Sequence, residues 1–510
     1  MGRRTVTLGS GGTTLAQVRE VADGAAVELG PGAREAIREG RRRIEEIFEC
    51  GKPVYGVNTG FGRLAGTVVP CDEISQLQVN LLRSHACGTG SLLDRETTRV
   101  TMFLRLASLA AGRSGIRPET AGLLEAFLNS DLYPAVPSKG SLGASGDLAP
   151  LAHLCLPLIG EGECVDPSGE LIPGAEALSR MGRKPIVPGA KEGLALINGT
   201  QLMTAFASLA LLRAEELLEA ADTAATMSLE VLLGTTAAFD PEFAVLRPHP
   251  GMVRTMETIH SLIEGSGILT SHSCCPRVQD AYSLRCVPQV HGAVRDALAY
   301  VRQVVERELV SVTDNPLLLP GGSLVSGGNF HGEPVAFASD HMKLALSELA
   351  CISERRIERL LNPDLSGLPA FLSPAPGTNS GYMIAQYTAA SLVSENRVLA
   401  HPASVDSIPV SGSQEDHVSM GTTAARQAFE ISGNTLHVLA TELVCAAQAY
   451  EFMSEGVGHG KGTHAAYTMI REAVPPLTGD RYFAGEIGKV AGMVLRGEFR
   501  REALLGRQGS

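Results

Sequence analysis

The residues with the most distinctive chemistry are Ala144, Ser145 and Gly146, inside "SKGSLGASGDLAPLAHL" at 138–154. The stretch opens on glycines and small polar residues and passes directly into an apolar, helix-like run. If the Gly146 amide nitrogen attacks the Ala144 carbonyl carbon, a five-membered ring forms and water leaves. Ser145 can then lose its hydroxyl as a second water, leaving an exocyclic methylidene. The product, 4-methylideneimidazole-5-one, is an electrophile made from the chain itself. Glycine puts no side chain beside the attacking nitrogen and tolerates the bend. Alanine adds little bulk, and serine carries the leaving hydroxyl. The same residues also fit a flexible turn capped by Ser or Asp ahead of a helix. The triplet alone does not separate the two.

Other familiar chemistries fit less well. "GASGD" is not a nucleophile elbow, because Asp147 stands where the second glycine belongs. "GHGKGTH" at 458–464 has the wrong spacing for a phosphate loop, with Glu455 in place of its first glycine. No H-E-x-x-H occurs, and no glycine triplet of the dinucleotide kind follows an obvious strand. The ten cysteines are scattered without a C-x-x-C pair, and Cys274 and Cys275 are adjacent. They read as reduced thiols, mostly small core residues, in a cytoplasmic protein. No metal is expected.

The frame that must position the triplet reads as mostly helical. "PGAREAIREGRRRIEEIFECG" runs from Pro31 near a helix start to Gly51 at its end. "YGVNTGFG", from Tyr55, is a glycine-rich loop. Helices follow near 72–87 and 94–111, and Asp166-Pro167-Ser168-Gly169 marks a hairpin turn. After Pro188 the character changes. Residues 189–240, 335–362 and 410–474 contain no proline and are rich in Ala, Leu and Glu. "TAARQAFEISGNTLHVLATELVCAAQAYEFM" spaces its apolar residues at three and four, as a buried helix does. Helices this long pack as bundles, often across a subunit boundary. The expected domains are 1–200, carrying the triplet and the Tyr55 loop, a long-helix domain over 201–475, and a helical tail over 476–510.

The surroundings of the triplet resolve its ambiguity. "GSLGASGDLAPLAHL" resembles the signature of the aromatic amino acid ammonia-lyases, which build this prosthetic group. The resemblance runs from about residue 10 to about 475 through "YGVNTGFG", "LLRSHACGTG", "EGLALINGTQ", "RVQDAYSLRC", "SGGNFHGEP", "NSGYMIAQYTAASL" and "SQEDHVSMG". It implies a mainly α, fumarase/aspartase-like fold with a long central helical bundle and a small mixed N-terminal part. It also implies a homotetramer whose active sites draw residues from three subunits.

The same resemblance assigns roles. Tyr55 matches the base that removes the β-proton. A phenol has an unperturbed pKa of about 10, so this role calls for a positive or hydrogen-bonding environment that lowers it. Asn198 matches a hydrogen-bond partner of the prosthetic group, in an Asn-Gly pair that breaks a helical run. Gln279, Tyr282 and Arg285 fall at three-residue spacing, along one face if helical. Arg285 can hold a carboxylate through its fork, and Tyr282 sits at the reacting amine. Phe330 matches an active-site aromatic. His85, Met383, Gln414 and Glu415 match the pocket of the histidine-acting members. Relatives acting on phenylalanine or tyrosine carry "NQD" where this chain has Gln414-Glu415-Asp416. A carboxylate accepts from an imidazole N–H and is a costly neighbour for a phenyl ring. The implied reaction is elimination of ammonia from L-histidine to give trans-urocanate, with no metal or diffusible cofactor. Ala281, the "HGAV" run at 291–294, Tyr382 and Tyr387 depart from the usual pattern and leave affinity or substrate range open.

Composition sets outer limits. The chain has 510 residues, 44% hydrophobic and 19% charged, as a globular protein does. A net charge of −12 argues against a nucleic-acid surface or an anionic membrane as partner. No apolar run reaches a membrane span, and "MGRRTVTLGSGG" has no apolar core of the secretory kind. Two rivals remain. One is a tyrosine- or phenylalanine-acting lyase or 2,3-aminomutase of the same family. The other is a catalytically silent helical oligomer that only binds.

Overall fold

The computed structural model describes residues 4–506 except 10, 50–52, 273–276 and 455. Gly51, Cys274, Cys275 and the first three residues therefore lie outside the described residues. The chain is mainly α, with short strands confined to two- and three-stranded sheets. It divides into two compact units. The first comprises 1–209, 303–340 and 402–426; the second comprises 210–302, 341–401 and 427–510.

In the first unit, Thr5–Leu8 pairs in parallel with Ala26–Leu29. The connecting helix Leu15–Ala22 starts at Thr14, which exchanges capping bonds with Gln17. The expected helix at 31 runs Pro31–Glu49. Those expected near 72–87 and 94–111 are Ile74–His85 and Arg95–Ala110, the latter started by the Asp94 carboxylate accepting from the Thr97 N–H at 2.6 Å. Arg95–Ala110 is buried almost all round, so it reads as a core helix without a polar face. The hairpin is present: Glu163–Val165 pairs antiparallel with Leu171–Pro173, and Tyr133–Pro134 adds a third strand. The Asp166 carboxylate accepts from the Ser168 and Glu170 N–H groups and fixes that turn.

The second unit is built on four long helices, Gln201–Val231, Val287–Leu309, Glu333–Leu361 and Gly421–Tyr450, most of whose lengths fall within it. Buried polar groups hold them together. Arg356 forks onto Glu442, and the Ser228 and Ser353 hydroxyls donate to the same carboxylate at 2.8 and 2.7 Å. His291 meets Asp222 at 2.7 Å, and Arg295 bridges Asp222 and Glu219. Burial holds the His291 imidazole below its usual range, against the pull of Asp222. No helix among the described residues is long and apolar enough to cross a membrane.

Candidate functional site

The triplet sits in the bend between Pro137–Lys139 and the helix Leu148–Cys155. Gly143 and Gly146 bridge across it, so the chain folds tightly back on itself. Gly146 has φ +71°, and a Cβ there would lie 2.2 Å from the Gly199 carbonyl oxygen. Gly199 is equally constrained: a Cβ on it would meet Arg105 Nη1 at 2.5 Å. Two backbones therefore touch where only glycine allows it, which accounts for the Asn198-Gly199 break in the sequence.

Asn198 ends the short helix Glu192–Ile197 and turns its amide onto the triplet. Its Nδ2 donates to Ser145 Oγ at 2.6 Å and to the Ser145 carbonyl at 3.0 Å. Its Oδ1 is buried with no hydrogen-bond partner. Behind it, the fully buried Arg105 donates from Nη1 to the Asn198 carbonyl at 2.8 Å and to Gln201 Oε1 at 2.7 Å. The bend is tight and the serine hydroxyl is engaged by a donor, as ring closure and loss of that hydroxyl would require.

The alternative of a flexible turn capped by Ser or Asp is not what Asp147 provides. Asp147 occupies the N-cap position of Leu148–Cys155 without a side-chain bond to that helix. Its fully buried carboxylate instead accepts from the Leu202 and Met203 N–H groups at 2.9 and 3.0 Å, at the start of Gln201–Val231. Ser141 Oγ at 3.0 Å and the Thr422 hydroxyl complete its shell. Burial pushes the carboxyl above its ordinary range despite these four bonds.

The segment 402–426 forms another wall of the first unit. Met420 N–H donates to the Leu142 carbonyl at 2.8 Å, and Ser419 Oγ donates to the Gly143 carbonyl at 3.1 Å. Ala144 packs with Ala403, Val418, Met420 and Ala424. Within this segment Val410 and Glu415 pair through both backbone bonds, around Ser411, Gly412 and Ser413, all at positive φ. Glu415 is half-buried, makes no ion pair among the described residues, and is held above the usual carboxylate range by burial. Gln414 is exposed.

Tyr55 lies in a loop closed on itself. Gly60 N–H donates to the Thr67 carbonyl, Val69 N–H to the Asn58 carbonyl, and Asn58 Oδ1 accepts from the Val54 N–H. Buried Gln78 donates to the Gly56 carbonyl and accepts from the Leu194 N–H, tying the loop to the helix that ends at Asn198. The Tyr55 ring meets Phe61 edge-on, and its hydroxyl accepts from the Gly62 N–H at 3.4 Å. Burial, together with the nearby Glu415 charge, pushes the phenol above its usual pKa, while Gly62 pulls it down. The environment expected of a base is therefore only partly supplied. His85 ends the helix Ile74–His85, half-buried, with Nδ1 3.1 Å from Ser84 Oγ and its imidazole held low by burial. Phe330 is half-buried at the start of the turn into Glu333–Leu361.

The remaining candidates belong to the second unit. Arg285 donates from Nη2 to Gln279 Oε1 at 2.8 Å, and its guanidinium stacks 4.5 Å over the Tyr282 ring. Its Nε is buried without a partner. The three do not share a helix as expected. Only Tyr282–Arg285 is helical, because Ala281 is extended and Asp280 Oδ2 accepts from the Thr235 N–H and holds the chain before it. Arg356 Nη1 reaches the Ser283 carbonyl at 3.4 Å, a support that the sequence does not signal. Met383 begins the helix Met383–Leu399 and is half-buried.

In the first unit, a glycine bend gripped by an asparagine and a tyrosine loop beside a lone carboxylate suit amino-acid chemistry rather than a hydrolase or a nucleotide site. In the second, a cradled arginine suits a carboxylate. Residues 13–472 match the aromatic amino acid lyase family. The chain belongs to that family and is a carbon–nitrogen lyase. It is 54% identical over 487 residues to a histidine ammonia-lyase of Symbiobacterium thermophilum, covering 95% of this chain and 96% of that one. Its fold superposes on a tyrosine aminomutase from Streptomyces globisporus with a TM-score of 0.91 at 39% identity, covering 99% and 98% of the two chains. A histidine ammonia-lyase from Trypanosoma cruzi gives a TM-score of 0.89 at 38% identity, covering 98% and 97%.

Proposed function

We propose that the chain eliminates ammonia from L-histidine without oxidation and releases trans-urocanate. Glu415 carries this reading. A half-buried carboxylate without an ion pair suits an imidazole N–H and is a poor floor for a phenyl ring. The similarity to histidine ammonia-lyases near half identity over nearly the whole length supports it.

The triplet, once cyclised to 4-methylideneimidazole-5-one, supplies an electrophile for the substrate amine and so turns nitrogen into a leaving group. The chain's own residues do the rest. Asn198 holds the polar atoms of residue 145. Arg285, steadied by Gln279 and Tyr282, binds the carboxylate, and Tyr282 offers its hydroxyl near the amine. His85, Met383, Gln414 and Glu415 hold the imidazole, with Phe330 against the ring. Tyr55 accepts the β-proton. Burial raises its phenol, so it first releases its own proton to solvent and acts as the phenolate.

The same proposal includes a cytoplasmic homotetramer. All seven described cysteines are free. Leu344, Ile384, Tyr387 and Val398 stand exposed on long helices, the kind of apolar face a subunit bundle covers.

The test is absorbance growth with L-histidine, L-tyrosine and L-phenylalanine separately, together with intact mass. Growth with histidine, a mass short by two waters, and loss of histidine turnover in Glu415→Gln are expected. Growth only with tyrosine or phenylalanine overturns the substrate. A mass equal to the unmodified chain, or full activity in Ser145→Ala, overturns the electrophile.

A further inference from the structure

We propose that His331, Glu333 and His417 bind one divalent transition-metal ion of the zinc or cobalt class, as a clamp and not as a participant in elimination. One donor atom of each lies within 4.8 Å of the other two. All three belong to the first unit. The two imidazoles lie parallel, 3° apart and stacked with centroids at 5.8 Å. His331 Nε2 contacts the His417 carbonyl at 3.3 Å, which fixes one ring against the backbone of the other residue.

A cluster closed by protein hydrogen bonds alone would have an imidazole N–H donating to Glu333. Instead Glu333 Oε2 is buried with no hydrogen-bond partner. A carboxylate with one unpartnered buried oxygen, grouped with two imidazoles, has the donor set a divalent ion takes. Two histidines and a glutamate are the donors zinc takes in three-ligand sites, with water completing a tetrahedron. Donors at about 2.0–2.2 Å from the ion stand roughly 3.4 Å apart. The cluster therefore has to contract by at most about 1.4 Å to reach that geometry, within reach of side-chain rotation.

The location gives the ion a role. Glu333 is the first residue of the helix Glu333–Leu361, and His331 is two residues before it. His417 ends the loop whose turn, Ser411 to Ser413, has left-handed backbone at both serines. A bound ion would staple that loop to the helix start. It would do so whatever substrate the chain takes, so the proposal stands or falls apart from the histidine assignment.

The experiment is a Co²⁺ titration of the purified full-length protein, followed by visible absorption. One saturating equivalent per chain is expected, with d–d bands and no thiolate charge-transfer band. The latter condition matters because Cys71 and Cys87 are exposed. His331→Ala and His417→Ala should abolish the signal and Glu333→Gln should weaken it. Circular dichroism checks that the variants fold. In the unsubstituted protein, Co²⁺ should protect His331 and His417, but not the exposed His437, from diethyl pyrocarbonate, as mapped by mass spectrometry. Absence of a saturable band, a thiolate band, unchanged binding in the variants, or unprotected His331 and His417 each overturns the proposal.

Discussion

Asp147 gives the sharpest quantitative expectation. Its Oδ2 is the acceptor for two backbone N–H groups at the start of Gln201–Val231. In Asp147→Ala, Ser141 and Thr422 still have each other, since their hydroxyls already lie 2.7 Å apart. The Leu202 and Met203 N–H groups have no such recourse. Each buried N–H left unpaired costs about 1–3 kcal/mol, so the pair costs about 2–6 kcal/mol. Asp147→Asn differs. Its amide oxygen keeps both N–H bonds, and its NH₂ faces two hydroxyls that can rotate to accept. Only the interaction of charge with the helix start is lost, about 0.3–2 kcal/mol, and relief from burying a carboxylate offsets part of it. Hydrogen exchange of a peptide spanning 201–204 reads the difference directly. Two kcal/mol is a roughly thirtyfold faster opening, so Asp147→Asn should stay near the parent while Asp147→Ala exceeds thirtyfold. Equal protection in the two variants would refute the idea that this carboxylate caps that helix. The pH dependence has a definite sign. Burial raises the folded-state carboxyl, so its favourable contribution is complete below the ordinary aspartate range and is lost as pH rises through the folded value. The difference in stability between the parent and Asp147→Asn should therefore change across that window, to the parent's disadvantage, and be flat above it.

Three further outcomes follow from the same geometry. Glu415 raises the Tyr55 phenol, so in Glu415→Gln the rising limb of residual turnover against pH should move to lower pH; a limb that stays or moves up removes the coupling. Arg285→Lys loses the fork and should raise KM for substrate about tenfold or more with kcat less affected, since a charge-assisted bond contributes about 1.5–3 kcal/mol; unchanged KM in initial-rate kinetics would sever Arg285 from the carboxylate. Lys191 and Asp314 form a fully buried pair at 2.7 Å. Asp314→Ala strands the ammonium and should cost about 3–5 kcal/mol, seen as a clearly lowered thermal midpoint, and a melt indistinguishable from the parent's would contradict it.

Much of this is legible in the sequence. Proline and glycine punctuation places the helix at 31 and the hairpin at 166, because those signals act within a few residues. The Ala-Ser-Gly triplet and the Asn-Gly break stand out as separate oddities. Their contact through Gly146 and Gly199 does not, since nothing local announces which two glycines will touch. From sequence, Asp147 is open to a capping role on its own helix, as an acid ahead of a helix usually is. Its partners, Leu202 and Met203, are 55 and 56 residues away. Gln78 and Arg356 stay hidden for the same reason: a buried polar side chain looks like a surface one until its distant partner is known. Gln279, Tyr282 and Arg285 do meet, but not as a helix face, because Asp280 is engaged with Thr235.

The bonds from Ser419 and Thr422 to Gly143, Ser141 and Asp147 span 275 to 281 residues of chain. During synthesis the triplet leaves the ribosome long before the segment that walls it in. A nascent chain halted short of Ser419 has every atom of the reactive bend and none of these bonds. Under the proposed cyclisation, ring closure that needs the compressed bend would be a late event, and a C-terminally truncated chain would remain unreacted. On that proposal maturation would act as a form of quality control, with the electrophile reserved for a finished molecule.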